Sequence, residues 1–487
     1  MCDCLPLPTG GKLSRNDSRL ATMADLTIRN LTITELELKL VERFDAQPVE
    51  SGGVANITSK LSGLFNSTSA PVSRPAVPQG EGRDRRDVSI VVPRFETRLT
   101  DVRSPDPARE VVRLTFEHEE GQRYRLDIPG ASARSIELER LDGAPKEYTA
   151  VYVQNGCTLA IFSSANLASW MRELKDDFPL SALSIPGTHN SPTCHVALPS
   201  VRCQAAGVRE QLDNGVRFFD IRVSVSEDHD NLSLVHSAFP ISLTGTKYFR
   251  ELLDEVYAFL DANPSETLVM SVKREGTGKG SDQRLSRILK DKFYEGNKER
   301  WFTRPWVPRL REARGKIVLL RRHVLDDSLR GEHDGKGWGL DGSAWPDNCE
   351  DGRVGSGIAR VQDFYEVGES TNIGKKIELA RKHLERAGEK VGFPEREKEP
   401  EPFFINFLSA SNFFNASCWP EKVAAKANPA IIEYLCVRHG EDGKGPDGLK
   451  VGDAATGIVV TDWVGQDGDW DLIRCIVGWN ARLQMKE

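Results

Sequence analysis

The amino-acid sequence predicts a TIM-type (β/α) barrel, not necessarily fully closed, preceded by a small mainly-β region. Two observations favour this fold class. In the first 160 residues, short segments of alternating apolar and polar residues are separated by turn-forming residues, as in a β-sandwich. After residue 165, short apolar runs alternate with longer amphipathic ones, which is typical of parallel strands joined by helices.

The length and composition of the chain indicate two regions. The 487 residues exceed one ordinary core, and hydrophobic and charged residues make up 39% and 28% of them, as in a globular protein. We expect a disordered tail over 1–22, a β-rich region over 23–160 with a flexible loop at 61–87, and the barrel over 161–487. The net charge is −7 without a basic stripe, which argues against a nucleic-acid binder.

Targeting signals are weak in this sequence. No stretch approaches about 18 consecutive apolar residues, and the N-terminus lacks a basic segment followed by an apolar one. We therefore expect a cytoplasmic protein that can lie peripherally at membranes. Cys2 and Cys4 are candidates for acylation, although a plain disordered tail is the favoured interpretation. In the barrel region only Cys194 and Cys203 lie close together, and no zinc-ligand spacing is present.

The first region is predicted to consist of short strands. Apolar residues alternate in LTIRNLTITELELKLVERF, and strand-like runs resume in DVSIVVPRFETRL, EVVRLTFEHEE, QRYRLDIPG and YTAVYVQNGCTLAIF. The intervening SGLFNSTSAPVSRPAVPQGEGRDRR is rich in Ser, Pro, Gly and Arg, and this composition predicts a loop. This region contains no group of residues that suggests catalysis.

The barrel region alternates strand and helix candidates. The strand candidates are LSALSIPGTH, VRFFDIRV, LSLVHS, ETLVMSVKRE, GKIVLLRRH, PFFINFLSAS and TGIVVTDWVG. The helix candidates are TKYFRELLDEVYAFLDAN, IGKKIELARKHLERAG, NPAIIEYLCVRHG and DWDLIRCIVGWNARL. The first helix places six apolar residues on one face: Phe249, Leu252, Leu253, Val256, Phe259 and Leu260. No glycine-rich nucleotide-binding motif follows any strand, which argues against a nucleotide-binding sheet.

Polar and charged residues stand at the ends of these predicted strands. They are His189, Asn190, Asp220, Arg222, His236, Lys273, Arg322 and Asp462. Because the working residues of such barrels lie at the C-terminal ends of the strands, we expect these side chains to meet at one mouth. A purely structural barrel does not need two histidines, several basic groups and two carboxylates there.

Two histidines and a cation suit the cleavage of a phosphodiester. One imidazole can take a proton from an attacking hydroxyl while the other gives a proton to the leaving oxygen. An arginine can balance charge on the phosphoryl oxygens, and a carboxylate can orient the base. Structural interpretations are left open: strand-end histidines are often structural, Arg222 and Asp220 can be a plain ion pair, and Asp462 can cap a helix.

At these residues the sequence resembles the bacterial-type phosphatidylinositol-specific phospholipases C. The resemblance runs in order through SIPGTHNS, GVRFFDIRV, LSLVHS, FLDANPSETLVMSVKRE, ARGKIVLLRRH, WPDN, RVQDFYEV, INFLSAS and GIVVTDWVG. It does not cover the first 160 residues. The added region and the lack of a signal peptide resemble a fungal intracellular relative more than a secreted bacterial enzyme.

The resemblance implies a reaction and a role for each residue. The inositol 2-hydroxyl attacks the neighbouring phosphorus, which gives a cyclic inositol phosphate and diacylglycerol. His189 is implied as the general base, oriented by Asp462, and His236 as the general acid. Arg222 is implied to contact the phosphate with support from Asp220. Further residues are implied to hold the inositol ring: Lys273, Arg322, Asp363 and Tyr365.

No metal and no cofactor are expected. The calcium-dependent relatives carry acidic residues where this chain has Arg222 and Lys273, and calcium needs several oxygen ligands. The expected partner is a phosphatidylinositol-type lipid at a membrane surface that is contacted transiently. The oligomeric state is left open.

Asn190 departs from the family pattern. Metal-independent bacterial members carry Asp at this position, where it is thought to assist the general acid. A neutral amide cannot stabilise a protonated His236 in the same way, so we expect the leaving-group step to slow by roughly tenfold or more.

Two other functions remain open at this level. Asn190 and the added region favour a catalytically weak or inactive module that binds lipid or inositol phosphate. A related phosphodiesterase acting on another headgroup, such as glycerol or choline, is the second. Those enzymes generally hold a metal with Glu and Asp near the first histidine, where this chain carries basic residues.

Overall fold

The computed structural model describes residues 24–46, 82–106, 108–130, 135–143, 146–391 and 401–486. Ten strands precede the barrel: β1 (Asp25–Leu31), β2 (Leu36–Asp45), β3 (Asp84–Val92), β4 (Thr97–Arg103), β5 (Glu110–His118), β6 (Arg123–Ile128), β7 (Ser135–Glu137), β8 (Glu139–Arg140), β9 (Tyr148–Val153) and β10 (Thr158–Ser163). They form two five-stranded sheets in the orders β4-β1-β10-β9-β7 and β3-β2-β5-β6-β8. This mainly-β architecture agrees with the predicted sandwich.

Apolar residues that alternate along the strands fill the space between the two sheets. In β2, Leu36 and Leu38 are buried, as a period of two requires. The next buried residue is Val41, because the register of β2 shifts between Leu38 and Leu40. Such a bulge returns the apolar side chains to the core side.

Only the end of the predicted loop can be compared with the structure. The strand β3 begins at Asp84, inside the segment 61–87 that the sequence predicts as a loop. The rest of that loop up to residue 81 lies outside the described residues, as do the predicted tail and Cys2 and Cys4.

Twelve strands follow in the described residues of the barrel region. They are β11 (Ile185–Thr188), β12 (Phe218–Ser224), β13 (Ser233–His236), β14 (Phe239–Pro240), β15 (Leu268–Arg274), β16 (Trp301–Phe302), β17 (Ile317–Arg322), β18 (Leu340–Asp341), β19 (Gly352–Arg353), β20 (Ala359–Gln362), β21 (Phe403–Phe407) and β22 (Ile458–Thr461). Seven strands form a continuous parallel run in the order β17-β15-β12-β11-β22-β21-β20. The two-residue strands β16 and β18 also pair parallel with β17. Within the described residues, no pairing joins β20 to β17, so the sheet is a curled and incompletely closed barrel.

One predicted barrel strand has a different role. The segment LSLVHS forms β13, which pairs antiparallel with the end of β12 and with β14. The strand β13 therefore belongs to an antiparallel hairpin at the C-terminal end of β12 and is not one of the parallel strands of the barrel. Of the seven strands in the parallel run, the sequence pattern missed β20. Its four residues, Ala-Arg-Val-Gln, are too few and too polar to be recognised as a strand.

The α-helices of the described residues surround this sheet. They are α1 (Val208–Asp213), α2 (Phe249–Ala262), α3 (Asp282–Ile288), α4 (Leu310–Ala313), α5 (Glu332–Gly335), α6 (Ile373–Glu389), α7 (Pro420–Val437), α8 (Asp471–Gly478) and α9 (Ala481–Gln484). The six apolar residues predicted on one face of α2 are all buried. The helix α7 begins at Pro420, earlier than predicted, and contains Pro429. In the part of the chain that is described, no helix has the length and apolarity needed to cross a membrane.

The sandwich packs on the barrel through its β1–β10–β9 sheet. Apolar residues of these strands share a buried cluster with residues of α6, α7 and α8. Within this contact the buried Arg29 donates to the carbonyl oxygens of Cys436 and His439. The sandwich therefore covers helices of the barrel.

Candidate active site

The C-terminal ends of the parallel strands carry most of the predicted site residues. His189 follows β11, Arg222 lies on β12, Lys273 on β15 and Arg322 on β17, while Asp363 follows β20 and Asp462 follows β22. The close approach of β11 and β12 depends on Gly187, since a Cβ there would lie 2.9 Å from the Cβ of Phe218. The parallel strands thus bring residues from distant parts of the sequence to one mouth.

His189 is held by a carboxylate and by its backbone. Its Nδ1 lies 3.0 Å from Oδ1 of Asp462. The Nε2 of Gln204, which the sequence did not single out, donates to the carbonyl oxygens of His189 at 2.7 Å and Thr461 at 3.0 Å. Burial raises the pKa of Asp462, and the nearby His189 opposes this rise. Because Nδ1 faces the carboxylate, Nε2 is the nitrogen left for other contacts.

His236 reaches the mouth from the antiparallel hairpin. Its ring lies nearly perpendicular to that of His189, with 5.8 Å between the ring centroids. The Nδ1 of His236 is 2.8 Å from the carbonyl oxygen of Val201. Burial, with the nearby charges of Arg222 and His189, lowers the pKa of His236 to about 4. The imidazole is therefore neutral near pH 7 in the absence of a bound anion.

Arg222 and Asp220 form a buried ion pair. The Nε and Nη2 of Arg222 donate to Oδ2 of Asp220 at 3.1 and 3.0 Å. The backbone N–H of Asn190 donates to the same oxygen at 3.1 Å. Although burial alone would raise it, the guanidinium groups of Arg222 and Arg322 hold the pKa of Asp220 well below its usual range. The ion pair that the sequence left as an alternative is present, and it is part of the cluster at the mouth.

Glu275 links two of the predicted cations and was missed from the sequence. Its Oε1 accepts from Nη1 of Arg222 at 3.1 Å and from Nζ of Lys273 at 2.8 Å. Burial raises the pKa of Glu275, but Arg222 and Lys273 outweigh this effect and lower it to about 2. The signal was available, because residues two apart at a strand end point to the same side.

Arg322 and Asp363 meet at the opposite wall of the mouth. The guanidinium carbon of Arg322 lies 3.9 Å from the ring centroid of Trp345, and Nη2 lies 3.8 Å from Oδ2 of Asp363. The Nε1 of Trp345 donates to that carboxylate oxygen at 3.0 Å. The Nε and Nη1 of Arg322 are buried without a hydrogen-bond partner, so a bound ligand or water would satisfy them. Trp345 lies in a loop with no local pattern to indicate this role.

Asn190 is fully buried beside these groups. Its backbone has a φ of +44°, a left-handed conformation that Asn adopts more readily than most residues. Neither Nδ2 nor Oδ1 of its side chain has a hydrogen-bond partner. A buried amide needs hydrogen-bond partners, so a bound ligand or water would satisfy it.

Tyr365 stands apart from the other predicted residues. Its hydroxyl donates to Oδ1 of Asp347 at 3.0 Å. Burial and this carboxylate raise the pKa of Tyr365 to about 12. The side chain is half-buried, and it is joined to the rest of the site through the loop that holds Asp363 and not through a direct hydrogen bond.

A buried lysine contacts the two residues that flank Asp363. The Nζ of Lys376, on α6, donates to Oε1 of Gln362 at 3.0 Å and to the carbonyl oxygen of Phe364 at 2.7 Å. Burial lowers the pKa of Lys376 to about 7, against the opposing charges of Asp363 and Asp462. The lysine therefore binds the side chain of the residue before Asp363 and the backbone of the residue after it. The amphipathic pattern of α6 gave no reason to expect a buried cation.

The comparison with protein families identifies this part of the chain. Residues 176–323 match the family model for the phosphatidylinositol-specific phospholipase C X domain. The matched segment covers 148 of the 487 residues. It contains seven of the predicted site residues: His189, Asn190, Asp220, Arg222, His236, Lys273 and Arg322.

Named relatives resemble more of the chain than the X domain alone. The 1-phosphatidylinositol phosphodiesterase of Staphylococcus aureus strain Newman is 27% identical over 321 residues, which cover 61% of this chain and 88% of the relative. The enzyme of the same name from Listeria monocytogenes is 35% identical over 179 residues, covering 35% of this chain and 53% of the relative.

A solved structure supports the barrel as a whole. The phosphatidylinositol-specific phospholipase C of S. aureus, in a structure that concerns its membrane binding, is 25% identical. It covers 64% of this chain and 97% of its own, with a TM-score of 0.50. Together with the match to the X-domain model and the named relatives, this likeness makes the barrel region similar to phosphatidylinositol-specific phospholipases C.

Proposed function

We propose that the chain cleaves phosphatidylinositol or a related inositol phosphodiester to a cyclic inositol phosphate and diacylglycerol. The observation that carries the proposal is the pairing of His189 with Asp462 at 3.0 Å opposite a second histidine, His236, whose ring centroid is 5.8 Å away. The buried Arg222 beside them supplies the positive charge that a phosphodiester requires. The named relatives are phosphatidylinositol phosphodiesterases, which supports the same substrate class.

The first step is an attack within the substrate. The Nε2 of His189 takes the proton of the inositol 2-hydroxyl, and the resulting oxygen attacks the neighbouring phosphorus. Asp462 keeps Nδ1 protonated and stabilises the imidazolium as it forms. Because nucleophile and phosphorus belong to one molecule, the site needs only to hold the ring to gain most of the proximity advantage.

The second histidine completes the reaction. His236 gives a proton to the departing diacylglycerol oxygen while Arg222, oriented by Asp220, balances the charge on the phosphoryl oxygens. Its pKa of about 4 is too low for an acid at neutral pH in the empty site. A bound phosphodiester anion would raise this pKa, because a nearby negative charge favours the imidazolium.

The remaining residues fit the inositol ring. Lys273, Arg322 and Asp363 offer donors and acceptors to hydroxyl groups, and Tyr365 offers an aromatic face. The unpartnered Nε and Nη1 of Arg322 support a polar ligand at this wall. The stacking of Arg322 on Trp345 keeps the guanidinium in one orientation, which favours specific recognition over general charge attraction.

The reaction is proposed to proceed without a metal ion. Arg222 and Lys273 lie where the calcium-dependent relatives carry acidic residues. A hard divalent cation needs several oxygen ligands, and here the carboxylates of Asp220 and Glu275 are already occupied by cations. The guanidinium of Arg222 takes the charge-balancing role.

Exposed apolar side chains around the mouth support transient contact with a membrane. They are Val196, Leu198, Leu243, Phe413 and Phe414. The backbone N–H of Leu243 donates to the carbonyl oxygen of Val196, and Phe239 stacks on Phe413 with 5.5 Å between the ring centroids. These contacts join three loops into one rim. A large apolar patch of this kind is typical of an interaction surface, and we propose that it meets the cytoplasmic leaflet.

The experiment that tests the proposal is phosphorus NMR of the full chain with phosphatidylinositol in mixed micelles and EDTA. The expected result is a growing signal from a cyclic phosphodiester. A signal that appears only after calcium is added would contradict the metal-independent reaction. Cleavage without a cyclic product would contradict attack by the 2-hydroxyl.

A second candidate function rests on Asn190. Its buried, unpartnered amide replaces the carboxylate that assists the general acid, which favours a module that binds the headgroup but turns over slowly. The same experiment separates the two functions. Micelle binding without any phosphorus signal, repeated with glycerol and choline headgroups, would favour the binding module.

A further inference from the structure

Cys203, which has no part in the proposed reaction, forms a cluster with the two histidines of the mouth. One atom from each of His189, Cys203 and His236 can be chosen so that all three lie within 4.8 Å of one another. In the described part of the chain this is the one group of three or more histidine, cysteine or acidic residues with such spacing. The sequence spacing of the cysteines gave no sign of it.

The backbone fixes the position of this cysteine. The N–H of Cys203 donates to Oγ1 of Thr193 at 3.1 Å, and its carbonyl oxygen accepts from the N–H of Trp463 at 2.8 Å. The next residue, Gln204, binds the backbone of His189. The sulfur consequently lies 3.6 Å from Nδ1 of His236. The loop thus holds a thiol against an imidazole in a buried position.

We propose that His189, Cys203 and His236 form a binding site for a thiophilic divalent cation, Zn²⁺ above all, at the centre of the barrel mouth. Two imidazoles and a thiolate are ligands that Zn²⁺ prefers, and Ca²⁺ and Mg²⁺ do not. In tetrahedral sites Zn–S is about 2.3 Å and Zn–N about 2.0 Å, which separates ligand atoms by roughly 3.5 Å. The distance of 3.6 Å between the Cys203 sulfur and His236 Nδ1 already has this value.

The ligand atoms follow from the existing hydrogen bonds. Nδ1 of His189 faces Asp462, so Nε2 is its ligand atom and the carboxylate orients the ring from behind, as is common in zinc sites. Nδ1 of His236 would leave the Val201 carbonyl and bind the metal, and the ring proton would then be carried by Nε2. The Cys203 thiol would release its proton to solvent as the Zn–S bond forms. A fourth position remains for water or an oxygen ligand.

The consequence for activity rests on the proposed function. A metal on Nε2 of His189 takes the lone pair that the base needs. Zinc would therefore inhibit the enzyme reversibly, and removal of zinc by a chelator would restore the reaction. The site is thus inhibitory and not a cofactor site.

The test uses Co²⁺ as a spectroscopic probe of the full-length chain. The expected result is one Co²⁺ bound per chain with thiolate-to-cobalt charge-transfer absorption, displaced by Zn²⁺. Cys203→Ala should remove the absorption and weaken Zn²⁺ binding by about 100-fold in chelator competition. Cys418→Ala, which removes another fully buried thiol from a separate cluster, should change neither.

Several outcomes would overturn the site. These are the absence of thiolate–cobalt absorption in the unaltered chain, its retention in Cys203→Ala, or a loss of Zn²⁺ affinity smaller than tenfold. If Cys203→Ala does not fold, Cys203→Ser keeps the volume of the side chain and should lose the same absorption. Because these readouts do not involve turnover, they stand even if phosphatidylinositol is not cleaved.

Inhibition is measured separately. Each protein's rate on phosphatidylinositol micelles with Zn²⁺ is divided by its own rate in EDTA. For the unaltered chain and for Cys418→Ala, this ratio should be at least tenfold below one. For Cys203→Ala it should be near one. Equal inhibition of all three proteins would contradict the inhibitory role, whatever the cobalt spectra give.

Discussion

The sheet β3-β2-β5-β6-β8, which is the outer sheet of the sandwich, and the mouth of the barrel both carry arginine–carboxylate pairs. Two of these pairs, one from each region, differ in how deeply they are buried. In the sandwich, Arg125 and Glu139 lie 2.7 Å apart with side chains 33% and 58% exposed. In the mouth, Arg222 and Asp220 lie 3.0 Å apart with side chains 13% and 0% exposed. Water screens the first pair, whereas the second interacts across a medium of lower polarity.

The two pairs also differ in how they are connected to other charges. Arg125 pairs with one carboxylate across neighbouring strands. In the mouth, Glu275 joins Lys273 to Arg222 and Asp220 joins Arg222 to Arg322. Loss of one member of such a network leaves a buried charge without its partner, which is costly. The same residue types therefore contribute little on the sheet and build a reactive centre in the barrel.

The largest expected effect concerns the two histidines of the mouth. His189→Ala and His236→Ala should each lower the cleavage of phosphatidylinositol by about 10⁴-fold or more, because each removes a proton-transfer group. His118→Ala removes a buried imidazole from the sandwich and should leave turnover unchanged. Phosphorus NMR measures the rates, and circular dichroism checks the fold. Near-full activity in either mouth variant would remove the basis of the mechanism.

Buried histidines should make the barrel sensitive to acid. Burial lowers the pKa of four of them, to about 4 for His236 and His323 and to about 3 for His383 and His439. Unfolded histidines titrate near about 6.5. The unfolded chain thus binds more protons below this pH, so stability is full above it and falls as the pH drops towards 4.

This acid effect can be followed in the barrel alone. All nine tryptophans lie between residues 170 and 479, so their fluorescence reports barrel unfolding in urea. We expect a loss of roughly 5 kcal/mol between pH 7.5 and 5.5, as an upper limit for four histidines. His383→Leu should reduce this loss by about a quarter. A midpoint that does not change with pH would mean that these imidazoles are not neutral in the folded protein.

The third prediction exchanges one cation for another in the mouth. Arg222→Lys should lower kcat by about 10²–10³-fold, because a lysine cannot bind Asp220 and a phosphate through a planar fork. Arg274→Lys is the matched control, since Arg274 lies on the neighbouring strand β15 but pairs with Asp282 outside the network. Steady-state kinetics measure both variants. A loss smaller than tenfold in Arg222→Lys would mean that charge alone is sufficient.

Asn190→Asp tests the departure from the family pattern. A carboxylate beside the general acid should raise the pKa of His236 and increase the rate by about tenfold. Asn190→Ala serves as the control, because it removes the amide without adding charge. The measurement is the pH profile of kcat. An unchanged or lower rate in Asn190→Asp would indicate that the site has been rebuilt around the amide.

The smallest effect is expected on the sandwich. Arg125→Ala and Glu139→Ala should each change the free energy of unfolding by less than about 1 kcal/mol, since the pair is exposed and screened. Urea denaturation followed by far-ultraviolet circular dichroism measures this change, and the double variant completes a cycle. A coupling above about 2 kcal/mol would show that exposure does not weaken this pair.

Much of the fold could be predicted because local patterns record which face of an element is buried. The six apolar residues of α2 follow the helical period, and the parallel strands appear as short apolar runs. We could predict that His189, Arg222 and Asp462 lie at the same mouth, because the C-terminal ends of parallel strands lie on the same side of a barrel. His236 was expected on a parallel strand but lies on a hairpin, because four apolar and polar residues do not reveal their pairing direction.

What the sequence by itself determined is thus the order of the elements, their buried faces and the residue types at the mouth. Only the tertiary structure decided that Glu275 bridges Lys273 and Arg222, that Trp345 stacks on Arg322, and that Cys203 lies against His236. These contacts join loops and strand ends that are far apart in the chain or lie outside any periodic segment. Periodicity reports burial, whereas the distance between two such side chains is set by the packing of the whole barrel.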